Sequence, residues 1–105
     1  MPPKYKLHIT EGTLADYEVA RAWWEVNRPK APLALQEDFD DAMERLERLG
    51  DRVGVELLSP GRRGGYRRLL LPRVRYYLYF RVVDDAGAIE VLALWHVSRG
   101  TRPQV

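Results

Sequence analysis

The chain has 105 residues, 46% of them hydrophobic and 30% charged, which suits one folded domain over residues 1–105 and excludes a disordered chain. It has no cysteine, so disulfides and thiolate zinc sites are excluded, and its formal charge of +2 is unevenly spread. Residues 1–50 carry seven Lys and Arg against ten Asp and Glu, a net −3; residues 51–105 carry ten Arg and no Lys against five acids, a net +5. Arginine's planar fork binds carboxylates and phosphates bidentately, so an all-Arg half suits an anionic partner, with a solvated basic face as the alternative. No apolar run approaches the ~18 residues of a membrane span, and MPPKYKLHIT lacks a signal-peptide apolar region, so a cytoplasmic protein is expected.

Taken in chain order, Lys4–Thr10 alternates Tyr5, Leu7 and Ile9 against Lys4, Lys6 and His8, which predicts a half-buried strand. Thr13-Leu14-Ala15-Asp16 fits a helix start, and a helix from there to about Asn27 would place Leu14, Tyr17, Ala20 and Trp24 on one stripe. Trp23 lies beside that stripe; of two adjacent tryptophans, one must point away from the core. Pro29 and Pro32 break the chain. A second helix follows, with Leu35, Phe39, Ala42, Leu46 and Leu49 on its apolar face, Gly50 closing it, and Glu37, Asp38, Asp40, Asp41, Glu44 and Glu47 outside.

Beyond Gly50 the period falls to two. Val53–Leu58 reads equally as a short strand or an extended loop, and Ser59–Gly65 as a turn. Tyr66–Leu71, Val74–Val83 and Ile89–Val97 predict three antiparallel strands joined at Pro72-Arg73 and at Asp84–Gly87. The order β-α-α-β-β-β predicts an α+β domain: an N-terminal strand, a two-helix hairpin, then a three-stranded antiparallel meander in a curved sheet covered by the helices on one face.

The strand RYYLYFRV (residues 75–82) carries the functional signal. Its apolar parity, Tyr76, Leu78, Phe80 and Val82, should face the helices with Val91, Ala93, Trp95 and Val97. Its other parity puts Arg75, Tyr77, Tyr79 and Arg81 on an uncovered face, together with Glu90, Leu92, Leu94, His96 and Ser98. Aromatics and arginines on one sheet face suit RNA or a charged protein. Leu92 and Leu94 fit poorly on such a naked surface. Other chemistries find no support: two His without Cys give no metal-ligand spacing, Gly61–Gly65 lacks the Lys-Ser/Thr of a phosphate loop, and Ser59 and Ser98 have no visible base.

Tyr66–Val82 (YRRLLLPRVRYYLYFRV) followed by Ile89–Gly100 (IEVLALWHVSRG) resembles the C-terminal half of RelE/ParE-superfamily toxins of bacterial type II toxin–antitoxin systems. The opening strand, the helix with AWWEVN and the second amphipathic helix match the remainder in order and length. The resemblance implies the fold reached above, no cofactor, no membrane, and a cognate antitoxin whose acidic, helical or extended segment covers the toxin in a hetero-oligomer. It offers two targets: ParE-like members poison DNA gyrase without catalytic residues, whereas RelE-like members cut mRNA on the ribosome. The ending LWHVSRG favours the ParE-like branch, and the only lysines, Lys4, Lys6 and Lys30, lie outside the basic half. The target- or partner-binding set it implies is Arg68, Arg73, Arg75, Tyr77, Tyr79, Arg81, His96 and Arg99. If the protein is a ribonuclease, Glu56, Arg75 and His96 are the candidate base, phosphate cation and acid.

Overall fold

In the computed structural model, which describes residues 4–57, 66–83, 87–100 and Pro103, the elements run β1 (Lys6–Ile9), α1 (Glu11–Asn27), α2 (Ala34–Leu49), a 3-10 turn (Gly50–Arg52), β2 (Val55–Leu57), β3 (Tyr66–Leu71), β4 (Tyr76–Val83) and β5 (Ala88–His96). The five strands form one mixed sheet in the order β1-β5-β4-β3-β2. The predicted meander β3-β4-β5 is its antiparallel centre. Val55–Leu57, ambiguous in sequence, adds an antiparallel edge strand, and β1 closes the other edge by pairing parallel to β5. The expected turn at Ser59–Gly65 lies outside the described residues, as does most of the one at Asp84–Gly87.

Both helices cover one face. Leu35, Phe39, Ala42 and Leu46 of α2 pack with Ala20 of α1 on Leu69, Leu71, Leu78, Phe80, Ile89, Val91 and Leu94, and Tyr5, Leu7 and Ile9 seal the β1 edge. Tyr17 of α1 meets Phe39 of α2 at 4.7 Å between ring centroids. Gly50 ends α2 with φ +54, a conformation that a Cβ disfavours. A Cβ there would also collide with the Tyr5 ring, so this glycine is needed on two counts.

The first helix starts earlier than its Thr-x-x-Asp signal suggested. Thr10 is the N-cap and accepts from the Thr13 N–H at 3.2 Å. Thr13 is consequently inside the first turn and buried, and the stripe facing the sheet is Thr13, Tyr17, Ala20 and Trp24, leaving Leu14 exposed. Trp24 packs against the core, and its indole N–H donates to the Ala31 carbonyl at 2.7 Å, tying down the Pro29–Pro32 break. Trp23 is the outward tryptophan, 47% exposed. The outer face of α2 is acidic as expected except at Asp38, which is only 9% exposed. Its carboxylate accepts from the backbone N–H groups of Arg73 at 2.9 Å and Val74 at 3.4 Å, and so braces the β3–β4 turn.

The largest correction concerns β5. Its register with β4 slips once: Tyr76 pairs with His96, Tyr77 with Trp95, Leu78 with Leu94 and Tyr79 with Ala93, but Phe80 pairs with Val91. Leu92 is the extra residue of a β-bulge. The slip sends Leu94 and His96 to the helix side and Ala93 and Trp95 to the opposite face, the reverse of strict alternation. The start of α1 takes up the β5 backbone groups beside the bulge, where β1 has ended. The Val91 carbonyl accepts from the Thr13 hydroxyl at 2.9 Å and the Thr10 N–H at 3.1 Å, the Leu92 carbonyl from the Thr10 hydroxyl at 3.4 Å, and the Leu94 N–H donates to Asp16 at 3.2 Å. Thr10, Thr13 and Asp16, three residues apart, form one row dedicated to the bulge.

Candidate functional site

The face away from the helices has its own small core. Leu57, Tyr66, Tyr79 and Ala93 are buried there, flanked by Tyr77, Leu92 and Trp95. Tyr79 is on the expected face but is not exposed: it retains 1% of its accessible surface, wedged between Tyr66 and Tyr77 with ring centroids 6.0 and 6.3 Å away. Aromatic neighbours along and across the strands of a twisted sheet cover one another.

Beside this cluster opens a pocket of about 290 Å³, lined by Arg68, Tyr77, Tyr79, Trp95, Val97, Arg99 and Gly100. Arg68 reaches it from β3, since it pairs with Tyr79 across the ladder and opposed residues share a face. Its guanidinium lies 4.1 Å from the centre of the Tyr77 ring, and that of Arg99 lies 4.2 Å from the Trp95 ring. Both are cation–π contacts that hold an arginine head at the pocket rim.

Four residues of the sequence-derived set, Arg68, Tyr77, Tyr79 and Arg99, therefore converge. Trp95 joins them unforeseen, because the bulge turns it from the core to this face. The misfit of Leu92 and Leu94 on the open face was the available signal: one inserted residue restores an inward row of Ile89, Val91 and Leu94.

The other candidates are placed elsewhere. Arg73 lies 3.2 Å from Glu37 and 4.0 Å from Asp38, held against α2. Arg81 is ion-paired with its cross-strand partner Glu90, and its buried Nε has no hydrogen-bond partner among the described residues. Arg75 does not open a strand. It ends the β3–β4 turn at φ +63, with its N–H bonded to the Leu71 carbonyl and its own carbonyl receiving the Val97 N–H.

His96 belongs to the helix side. It meets Tyr76 edge-on at 4.9 Å, and its Nδ1 accepts from the Ser98 N–H at 3.1 Å, which places the proton of the neutral ring on Nε2. With Val19, Ala20, Trp23, Tyr76 and Ser98 it lines a second groove of about 310 Å³. Burial raises the Tyr76 phenol above its ordinary pKa, with Arg99 acting in the opposite direction, so this hydroxyl stays protonated at neutral pH.

Glu56 is exposed on the edge strand β2, opposite Arg67, which in turn faces Phe80. His96 pairs with Tyr76, four residues along β4. Those registers separate Glu56 and His96 by about 13 Å along the strands and about 14 Å across them. Arg75 and His96 lie at one end of the sheet; Glu56 does not join them. Among the described residues no group of His, Asp and Glu could hold a metal ion, and no helix is long and apolar enough to cross a membrane.

No family model matches the sequence, and no curated protein matches it. Solved structures do. A chain of a chromosomal ParDE TA system from P. aeruginosa is similar at TM-score 0.72 with 23% identity, covering 90% of this chain and 98% of that one. A chain of the RelBE2 toxin–antitoxin complex from Mycobacterium tuberculosis gives 0.60 with 22% identity, over 89% and 98%. The YoeB dimer from Staphylococcus aureus gives 0.55 with 14% identity, over 89% and 97%. Two helices on one face of a five-stranded mixed sheet, matched over nearly the whole of each chain, give this protein the RelE/ParE toxin fold.

Proposed function

We propose that the protein is the toxin of a type II toxin–antitoxin system, neutralised by a cognate antitoxin and directed at DNA gyrase. The observation that carries the choice of target is the dispersal of the nuclease candidates. Cleaving RNA through its 2′-hydroxyl requires a base, an acid and a cation around one phosphate. Glu56 sits on a far edge strand, and Arg75 and His96 at the opposite end of the sheet. A toxin that works by binding needs no such convergence. It needs a preformed surface, and the Arg68–Tyr77–Trp95–Arg99 face is one. The similarity to the ParDE chain supports the same branch.

Induced expression in a bacterial host tests the reading. Growth arrest with DNA-damage signalling is the expected result. Translation arrest with cut mRNA would move the protein to the RelE-like branch and make ribosome and message its partners. Normal growth at high expression of folded protein would remove the toxin assignment.

A further inference from the structure

Several arginines of the sheet and its turns are already engaged. Arg67 donates to the carbonyls of Val53 and Gly54 at 3.0 and 3.1 Å, Arg73 is taken by Glu37 and Asp38, and Arg81 by Glu90. Arg68 and Arg99 have no carboxylate partner among the described residues, and they flank the same pocket. We propose that these two form a carboxylate clamp, which takes an Asp or Glu side chain from an acidic peptide; on the toxin reading above, that peptide is the inhibitory segment of the antitoxin.

Stacking explains why the clamp suits this ligand. Tyr77 and Trp95 each hold a guanidinium over the ring, and no hydrogen bond or ion pair among the described residues takes up the N–H donors of Arg68 or Arg99. Less side-chain entropy is then lost on binding, and a carboxylate matches the fork in a bidentate pair. The other walls of the pocket are Tyr77, Tyr79, Trp95, Val97 and Gly100, with Tyr79 buried and Val97 half-buried. At about 290 Å³ it has room for a carboxylate side chain and part of its neighbour.

Nucleic acid fits less well. It calls for a track of cations along successive phosphates and for bare aromatic faces on which bases stack. Here Arg73 and Arg81 are neutralised, and guanidinium groups already cover Tyr77 and Trp95.

The test uses the full chain, ¹⁵N-labelled, with the Trp95 indole N–H as reporter. Acetyl-Leu-Glu-Leu-amide should shift that signal saturably, and acetyl-Leu-Gln-Leu-amide should bind about 10-fold more weakly, as loss of a charge-assisted hydrogen-bond pair implies. Arg68→Gln and Arg99→Gln should each reduce binding of the Glu peptide about 10-fold while leaving the melting temperature near that of the parent. Hexauridylate should not compete. Equal binding of the two peptides, no response at Trp95, or displacement of the Glu peptide by hexauridylate would overturn the clamp. The peptide comparison on the unaltered chain decides the matter even if an arginine variant misfolds. Toxicity is read separately: discrimination of Glu from Gln in a non-toxic protein leaves the clamp standing and removes the toxin reading, whereas toxicity without discrimination does the reverse.

Discussion

Replacing Tyr79 by alanine tests the second core. Alternation along β4 assigns Tyr79 to the face without helices, where truncation of an exposed tyrosine would cost little. The structure leaves it 1% exposed, against 0% for Phe80 in the main core. Its ring contacts Tyr66 and Tyr77, with Leu57 and Ala93 in the same cluster. Removing such a ring deletes its transfer energy and leaves a cavity, about 3–5 kcal/mol for a buried aromatic. That is a large share of the roughly 5–15 kcal/mol that stabilises a domain. At this chain length it should lower the melting temperature by roughly 12 °C or more. Urea unfolding of Tyr79→Ala beside Phe80→Ala gives the comparison, with Tyr79→Phe as the control that keeps the ring. The two alanine variants should lose comparable stability, and Tyr79→Phe should lose within about 1 kcal/mol. A loss below about 1 kcal/mol for Tyr79→Ala, with Phe80→Ala strongly destabilised, would mean that the Tyr66–Tyr79–Ala93 cluster does not form and the face is ordinary surface.

Two further outcomes follow from the same geometry. Asp38→Ala withdraws the acceptor for the Arg73 and Val74 N–H groups and should cost about 1–3 kcal/mol in a denaturant titration, while Asp38→Asn, which keeps one oxygen, should cost less; equal stability of all three proteins would show that the β3–β4 turn does not depend on α2. His96→Ala should leave growth inhibition intact in a folded protein, since the ring is committed to Ser98 and Tyr76 on the helix side, whereas a loss of about 100-fold in mRNA cleavage would assign it the acid of a nuclease.

The element order, the apolar face of α2 and the inward parity of β4 were legible in the sequence because each depends on neighbours a few residues apart. The helix repeat placed Leu35, Phe39, Ala42 and Leu46 inward, and the strand repeat did the same for Leu78 and Phe80; all six are buried. Tyr77 and Tyr79 were likewise visible on one side of the sheet, whereas Arg68 and Arg99 entered only through the family resemblance. Tertiary structure alone decided what those residues meet. At the bulge, Thr10, Thr13 and Asp16, some 80 residues earlier in the chain, hydrogen-bond the β5 backbone, and no local period encodes a contact of that separation. A one-residue slip reverses every later side chain in a strand. It brought Trp95 to the pocket and moved His96 out of the set it was expected to share. Asp38 and Arg73 changed roles for the same reason: a charge on an exposed helix face reads as solvated until the fold brings a turn's unpaired N–H groups beside it.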